Sequence, residues 1–268
     1  MNEAALFRDP AKKSLGQHFL HERGIVEKIV RAVDPRPGDV LLEIGPGQGA
    51  ITFPLLQRHG RLTAIEFDRD LLEPLAHAAE SQGGDLRLIP RDVLQVDFSE
   101  LARELGGDGA RIRLVGNLPY NLSSPILFHA LDHAAAIRDM HFMLQKEVVE
   151  RMAAGEGSKV YGRLSVMLQA YCQVTPLIKV PPGAFRPAPK VDSAVVRLVP
   201  RPRDEITVRD RKRFADIVRA AFGQRRKMLR QSLKPLGGEA LLTGVGIDPT
   251  RRAETLSIEE FVALANAI

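Results

Sequence analysis

The run Val40-Leu41-Leu42-Glu43-Ile44 passes without a break into Gly45-Pro46-Gly47-Gln48-Gly49, and a helical pattern begins after Ala50. An apolar strand, a glycine turn and a helix in that order open a βαβ unit, which constrains the fold more than any other stretch. Glycines at such a turn let the backbone approach a bound group closely and take φ angles that other residues avoid. Glu66 ends the next apolar run, 21 positions after Gly45. A carboxylate placed there can accept hydrogen bonds from both hydroxyls of a ribose. Asp92 closes a third run and is suitably placed to accept from an adenine amino group. At this point two ligand classes stay open, because Gly45-x-Gly47-x-x-Ala50 also satisfies the dinucleotide fingerprint of nicotinamide oxidoreductases.

Beyond this loop, short apolar runs alternate with amphipathic stretches. Strands are expected at Val40–Ile44, Leu62–Phe67, Leu86–Ile89, Ile112–Gly116 and Met140–Leu144, and helices near Ile51–His59, Asp70–Ala79, Pro125–Ala135 and Lys146–Ala154. The alternation predicts an α/β, Rossmann-like fold with a parallel sheet covered on both faces. After a helix at Gly162–Ala170, two further strands, Cys172–Val180 and Ala194–Val199, are separated by a Pro-rich loop. They are expected to pair as an antiparallel hairpin at a sheet edge. The composition changes at Pro200-Arg201-Pro202-Arg203, after which only helical patterns follow, at Arg209–Phe222, Lys227–Leu233 and Ser257–Ala267. Ser257 with Glu260 makes a capping box at the last of these. The expected division is a catalytic domain over 1–200 and a small all-helical domain over 201–268.

Charge is distributed unevenly. The net charge is +5, but Arg197–Lys234 holds 13 Lys and Arg against 4 Asp and Glu, so the rest of the chain is slightly acidic. A concentrated basic stretch reads as the footprint of an anionic partner, and Arg225, Arg226 and Lys227 are its candidate RNA-binding residues. The 44% hydrophobic and 26% charged balance is that of an ordinary soluble protein, and nothing in the first twenty residues resembles a secretory or membrane-spanning segment. A single cysteine, Cys172, excludes a disulfide framework and any cysteine-cluster metal site, and points to a reducing cytoplasm.

Asn117-Leu118-Pro119-Tyr120 follows the fourth strand, at the edge where doubly wound sheets bind and react their ligands. This set suits an exocyclic adenine amine, whose lone pair is delocalised and poorly nucleophilic. The Asn117 carboxamide oxygen and the Leu118 carbonyl can both accept from N6–H, which holds the amine in line and stabilises positive charge developing on nitrogen. Pro119, lacking an N–H and fixed in φ, helps present the Leu118 carbonyl, and Tyr120 can stack on an unpaired base.

With those residues in place, nearly the whole chain resembles the ribosomal RNA adenine N6-dimethyltransferases, in particular the bacterial small-subunit (16S) type. Lys13-Ser14-Leu15-Gly16-Gln17-His18-Phe19-Leu20 looks like the family's N-terminal cofactor lid. Glu43–Gly47 with Gly49 is similar to its loop for the methionine end of S-adenosylmethionine, Glu66 to its ribose carboxylate, Asp92 to its adenine contact and Asn117–Tyr120 to its catalytic tetrapeptide. Pro182-x-x-Phe185-x-Pro187-x-Pro189-Lys190-Val191-Asp192-Ser193 is characteristic of the family. Its three prolines favour an extended, rigid loop from which Phe185 could sandwich a flipped adenine opposite Tyr120. The resemblance implies S-adenosylmethionine as cofactor, held by Gln17, His18, Leu20, Gly45, Gly47, Glu66, Asp92 and Asn117. It also implies a cytoplasmic, monomeric enzyme. The implied substrate is a pair of adjacent adenines in the 3′-terminal hairpin loop of 16S rRNA, each dimethylated during small-subunit assembly.

Other constellations carry less. His129 and His133 have the spacing of metal ligands on one helix face, but no third ligand is evident and no metal is expected. A nucleophile elbow and a phosphate-binding loop of the GxxxxGK[ST] type are both missing from the sequence. An RNA-binding assembly factor without chemistry would not need Asn117, Pro119 and Tyr120. A nicotinamide oxidoreductase would leave both the tetrapeptide and the basic stretch without purpose.

Overall fold

In a computed structural model, which describes residues 11–12 and 16–268, the strand–helix alternation becomes a doubly wound sheet. Residues 1–10, and Lys13, Ser14 and Leu15 of the lid, lie outside the described residues. The strands are β1 (Phe19–Leu20), β2 (Val40–Ile44), β3 (Arg61–Ile65), β4 (Asp85–Ile89), β5 (Ile112–Asn117), β6 (Ile137–Gln145), β7 (Cys172–Val180), β8 (Phe185–Arg186) and β9 (Ser193–Pro200). Helices α1 (Arg23–Val33), α2 (Thr52–His59), α3 (Leu72–Ser81), α4 (Phe98–Gly106), α5 (Ser123–Asp132) and α6 (Lys146–Met152) come between the strands of the first part. Later come α7 (Arg163–Gln169), α8 (Arg211–Gly223), α9 (Leu229–Ser232), α10 (Gly238–Gly244) and α11 (Ile258–Asn266).

The large sheet has the order β4-β3-β2-β5-β6-β9-β7. Neighbours from β4 to β6 run parallel, and β9 runs antiparallel to β6, with Phe142 opposite Val196. The order reverses between β2 and β5, so the loops leaving their carboxyl ends flank one crevice. The two late strands stand together at the sheet edge as expected, β9 against β6 and β7 outermost. Strands β2, β5 and β6 are almost entirely buried, as a parallel sheet covered on both faces requires. One layer over the sheet draws on α1, α2 and α3, with Ile29, Val33, Leu55 and Leu75 at its centre.

At the amino-terminal ends of these strands a single arginine closes the layer. Arg113, buried in β5, donates from Nε and Nη2 to Asp139 of β6 at 2.9 and 2.8 Å. Its remaining hydrogens reach Asp39 at 2.7 Å and the carbonyls of Val33 and Asp34 at 2.6 and 3.2 Å. Burial opposes its charge, but Asp139 and Asp39 outweigh that and hold the guanidinium above its ordinary range.

The chain forms two compact units by its own contacts. One comprises the described residues up to Val149 together with Thr175–Pro200, and the other comprises Glu150–Val174 with Arg201–Ile268. A division at 200 assigns 150–174 to the sheet, whereas in the structure that segment groups with the helices. The reason is pairing that composition cannot display: Arg201 N–H donates to the Tyr171 carbonyl at 2.8 Å, and Gly157 N–H to that of Glu254 at 2.7 Å. Within this unit Phe222 stacks on Phe261 with centroids 5.6 Å apart, and Tyr171 meets Phe214 edge-on at 6.0 Å. The Ser257 capping box forms, with Ser257 N–H donating to Glu260 at 2.8 Å and Glu260 N–H to the Ser257 hydroxyl at 3.2 Å.

Two residues past Asp139, His141 is buried in β6, and burial drives its pKa from 6.5 down to about 4. The folded state thus keeps His141 neutral where the unfolded chain takes up a proton. Its contribution to stability is complete above about pH 6.5 and is lost as pH falls toward about 4, a span worth on the order of 3 kcal/mol. Urea denaturation of wild type and His141→Leu between pH 4 and pH 7 checks this (both limits approximate). The variant is expected to lose part of the acid-side decline, and equal pH dependence in both proteins would contradict it.

Candidate active site

The first unit has a deep cleft at the carboxyl ends of β2 and β5. Its lining includes Gln17, His18, Leu20, Gly45, Gly47, Glu66, Asp92, Asn117, Leu118, Pro119 and Tyr120. Residues from five separate stretches thus meet in one place, as the sequence motifs led one to expect. Phe185 does not join them. It is only 3% exposed, pairs with Leu20 through the short β1–β8 ladder and packs in the core with α1 and α2. The expected sandwich of Phe185 opposite Tyr120 is therefore not formed, because the ladder turns Phe185 inward. Arg225, Arg226 and Lys227 belong to the other unit, exposed in the turn that follows α8.

The glycine loop is held from both ends. Gly45 N–H donates to the Ile65 carbonyl at 2.9 Å, and Thr52 Oγ1, at the start of α2, donates to Glu43 Oε2 at 2.7 Å. Gly47 has φ of +57°, a value only glycine adopts freely, and its N–H donates to Glu66 Oε2 at 3.2 Å. A second glycine lets the two strands meet: a Cβ on Gly116 would lie 2.6 Å from the Ile44 carbonyl oxygen. Any larger residue would push β5 off β2 and open the crevice between their loops.

The carboxylates differ in surroundings. Glu66 also accepts from Asp68 N–H at 2.8 Å. Burial raises its pKa, while the Asp68 and Gly47 N–H groups counter this. Asp92 Oδ1 caps the turn after β4 by accepting from Leu94 N–H at 2.9 Å, which engages one of its two oxygens. Glu43 is fully buried beside the cleft, and burial pushes its pKa up to about 8 despite the Thr52 hydrogen bond. Among the described residues lining the cleft, Glu43, Glu66 and Asp92 face a single cation, Arg91. Such a cleft suits a cationic ligand.

The N-terminal strap is latched beside Glu66. Lys12 Nζ donates to Asp68 Oδ1 at 2.6 Å and also to Asp70, and Gln17 Nε2 donates to Asp68 Oδ2 at 2.9 Å. Gln17 Oε1 accepts from the Lys12 N–H at 2.7 Å, so one end of the Gln17 amide is tied within the strap and the other to Asp68. Asn117 Nδ2 donates to the His18 carbonyl at 2.9 Å. Tyr120 shares a 2.7 Å hydrogen bond with Ser193, and burial raises its phenol pKa.

Two further residues, Phe67 and Asp68, escaped the sequence reading as site residues, and a third, Glu43, entered it only as part of the glycine-loop motif. Phe67 follows Glu66, lines the cleft and is 64% exposed, a placement that offers an aromatic face to a planar ligand. Asp68 anchors the strap, and Glu43 ionises with difficulty. The signal for Glu43 was present, an acid inside an otherwise apolar strand. Nothing in the sequence marks Phe67 or Asp68 beyond their nearness to Glu66. Among the described residues no group of three or more His, Cys, Asp or Glu is placed to hold a metal, and no helix is long and apolar enough to cross a membrane.

A seven-stranded sheet of this order, with a cleft at its reversal point, is the architecture of a doubly wound methyltransferase. The chain is similar over 92% of its length to the solved dimethyladenosine transferase of Plasmodium falciparum, with 96% of that chain covered, a TM-score of 0.77 and 25% identity. The 23S rRNA methyltransferase ErmE shares the fold, at a TM-score of 0.71 and 24% identity, with 93% of this chain and 98% of that one covered. The ribosomal RNA adenine dimethylase family matches residues 8–268. A protein of Xanthomonas campestris pv. campestris (strain B100), named ribosomal RNA small subunit methyltransferase A, is 67% identical over 97% of both chains. This chain belongs to the ribosomal RNA adenine dimethylase family.

The raised pKa of Glu43 has a measurable consequence. The folded, ligand-free protein keeps a proton on Glu43 that the unfolded chain releases above 4.5, so stability from burying the neutral acid is complete below that pH and lost through about pH 8. Glu43→Gln, which can still accept from Thr52 and never ionises, is expected to match wild type in melting temperature near pH 4.5 and exceed it above about pH 8. Thermal melts across that range check it, and a variant that is less stable at the alkaline end would contradict the assignment.

Proposed function

We propose that the chain transfers methyl groups from S-adenosylmethionine to N6 of two adjacent adenines in the 3′-terminal hairpin loop of 16S rRNA, dimethylating each in the assembling small subunit. The observation that carries this reading is the Asn117 amide. Its Nδ2 is engaged by the His18 carbonyl, beside the glycine loop and in one cleft with Glu66 and Asp92. That arrangement leaves Oδ1 as the acceptor end toward a substrate amine. The 67% identical relative is by name a small-subunit rRNA methyltransferase, which favours that RNA over other adenine-bearing substrates. We place the reaction in the cytoplasm, carried out by a monomer.

The residues present fit the cofactor. Glu66 would hold the ribose hydroxyls, the second oxygen of Asp92 the adenine amino group, and the exposed ring of Phe67 the adenine face. The Gly45–Gly47 backbone would meet the methionine end. When bound, S-adenosylmethionine supplies a methyl group made electrophilic by its sulfonium. Asn117 Oδ1 and the Leu118 carbonyl would hold the target amine through its N6 hydrogens and stabilise the positive charge that builds there. Tyr120 would stack on the base once it leaves its own stack. No strong base is required, since nitrogen becomes acidic as it is alkylated.

Tritium transfer from S-adenosylmethionine to undermethylated small subunits, with mapping of the modified bases, tests the function. Asn117→Ala is expected to abolish transfer while cofactor affinity stays within about threefold. Near-wild-type turnover would remove Asn117 from its role.

In the helical unit, Arg225 donates to the backbone carbonyls of Lys159 and Tyr161, so part of its role is structural. Arg226 and Lys227 are exposed and carry the cleaner test of RNA contact. Neutralising both is expected to weaken RNA binding and to flatten its salt dependence by up to ~0.9 log units per lost phosphate contact. Cofactor affinity is expected to hold, and an unchanged salt slope would reduce the pair to a solvated surface.

A further inference from the structure

With Phe185 in the core, stacking on the base falls to Tyr120, whose ring must be held in place. Two side chains hold it. The Tyr120 hydroxyl shares its 2.7 Å hydrogen bond with Ser193 Oγ, a fully buried residue. The His18 imidazole lies against the Tyr120 ring, with centroids 5.7 Å apart and planes inclined by 26°. A base between two rings needs about 7 Å, two contacts of roughly 3.5 Å each. His18 therefore backs Tyr120 and does not form the other side of a base sandwich.

His18 is itself tied down. Its Nδ1 lies 2.8 Å from the Pro187 carbonyl oxygen. A carbonyl only accepts, so the proton of that bond sits on Nδ1. The backbone carbonyl of the same residue accepts from Asn117 Nδ2 at 2.9 Å and so selects which end of the Asn117 amide faces the substrate. The two anchors bound the Pro-rich segment between β8 and β9: Pro187 opens it and Ser193 begins β9.

We propose that His18 and Ser193 are positioning residues for the target adenine: the Pro187–Ser193 loop braces Tyr120 through them, and His18 also orients Asn117. The proposal rests on the methyltransferase reading above and extends it. The resemblance places His18 among cofactor contacts, whereas this geometry assigns its ring to the base side of the cleft. The Pro-rich loop then acts as a brace, and its phenylalanine serves the core.

The test uses the full chain with S-adenosylmethionine and small-subunit rRNA. Cofactor affinity is measured by calorimetry and methyl transfer under single-turnover conditions, for wild type, His18→Leu, His18→Asn and Ser193→Ala. His18→Leu and Ser193→Ala are each expected to slow transfer about tenfold or more, with cofactor affinity within about threefold of wild type. His18→Asn, whose amide can still donate to the Pro187 carbonyl, is expected to recover most of the rate. On a Tyr120→Leu background, adding Ser193→Ala is expected to cost less than about twofold more, because its effect runs through the ring already removed. Three results would overturn the proposal: wild-type rates in His18→Leu, a loss of cofactor affinity matching the loss of rate, or a Ser193 effect that persists in full without Tyr120. A wild-type protein that binds the cofactor and methylates no RNA would instead overturn the reading of function, and this proposal with it.

Discussion

Five hydrogen bonds converge on the Arg113 guanidinium, and the placement of the cleft depends on them. They tie β5 to β6, to the residue before β2 and to the end of α1, using every donor that an arginine has. Three strands are thereby held together at their amino ends, while the glycine loop and Asn117 sit at the opposite ends of two of them. A buried charge carries a heavy desolvation cost, and this one is met by two carboxylates and two carbonyls. Removing the arginine would leave Asp39 to Arg138 and the buried Asp139 to the more distant Arg197 alone, an imbalance worth up to about 3–5 kcal/mol.

At the other end of the sheet, the decisive constraint is close approach. Gly116 lets β5 lie against β2 with no side chain between them, so the loop after each strand faces the same crevice. Electrostatics then matches the site to its ligand. Burial raises the pKa of Glu43 and Glu66, and both stand in a cleft with little positive charge. A cationic ligand brought against them would favour their ionised forms, so binding and proton release are linked.

Several elements were legible because local pattern sufficed. Val40–Ile44 matches β2 residue for residue, and the Ser257 capping box forms as its spacing requires. Others were not. Helix α1 and the short β1–β8 ladder escaped notice, the latter because two residues per strand leave no periodicity to detect. That ladder matters most, since it buries Phe185 and lays the strap across the cleft. The segment 150–174 carries the same strand–helix alternation as the residues before it, so nothing local marks it as part of the helical unit.

The sequence by itself determined the class of fold and the chemistry available to it. Glycine turns, strand-end acids and an Asn-Leu-Pro-Tyr motif are local features, encoded by backbone preference and side-chain type over a few residues. The tertiary structure alone decided which side chains cooperate. Lys12 with Asp68, His18 with Asn117 and Tyr120, and Ser193 with Tyr120 stand 56, 99, 102 and 73 positions apart along the chain. No local rule specifies such pairs; they exist because a parallel sheet with crossover helices brings the ends of distant strands to one edge. Phe185 shows the same dependence from the other side: its motif suggested a base contact, and the ladder that buries its side chain placed it in the core.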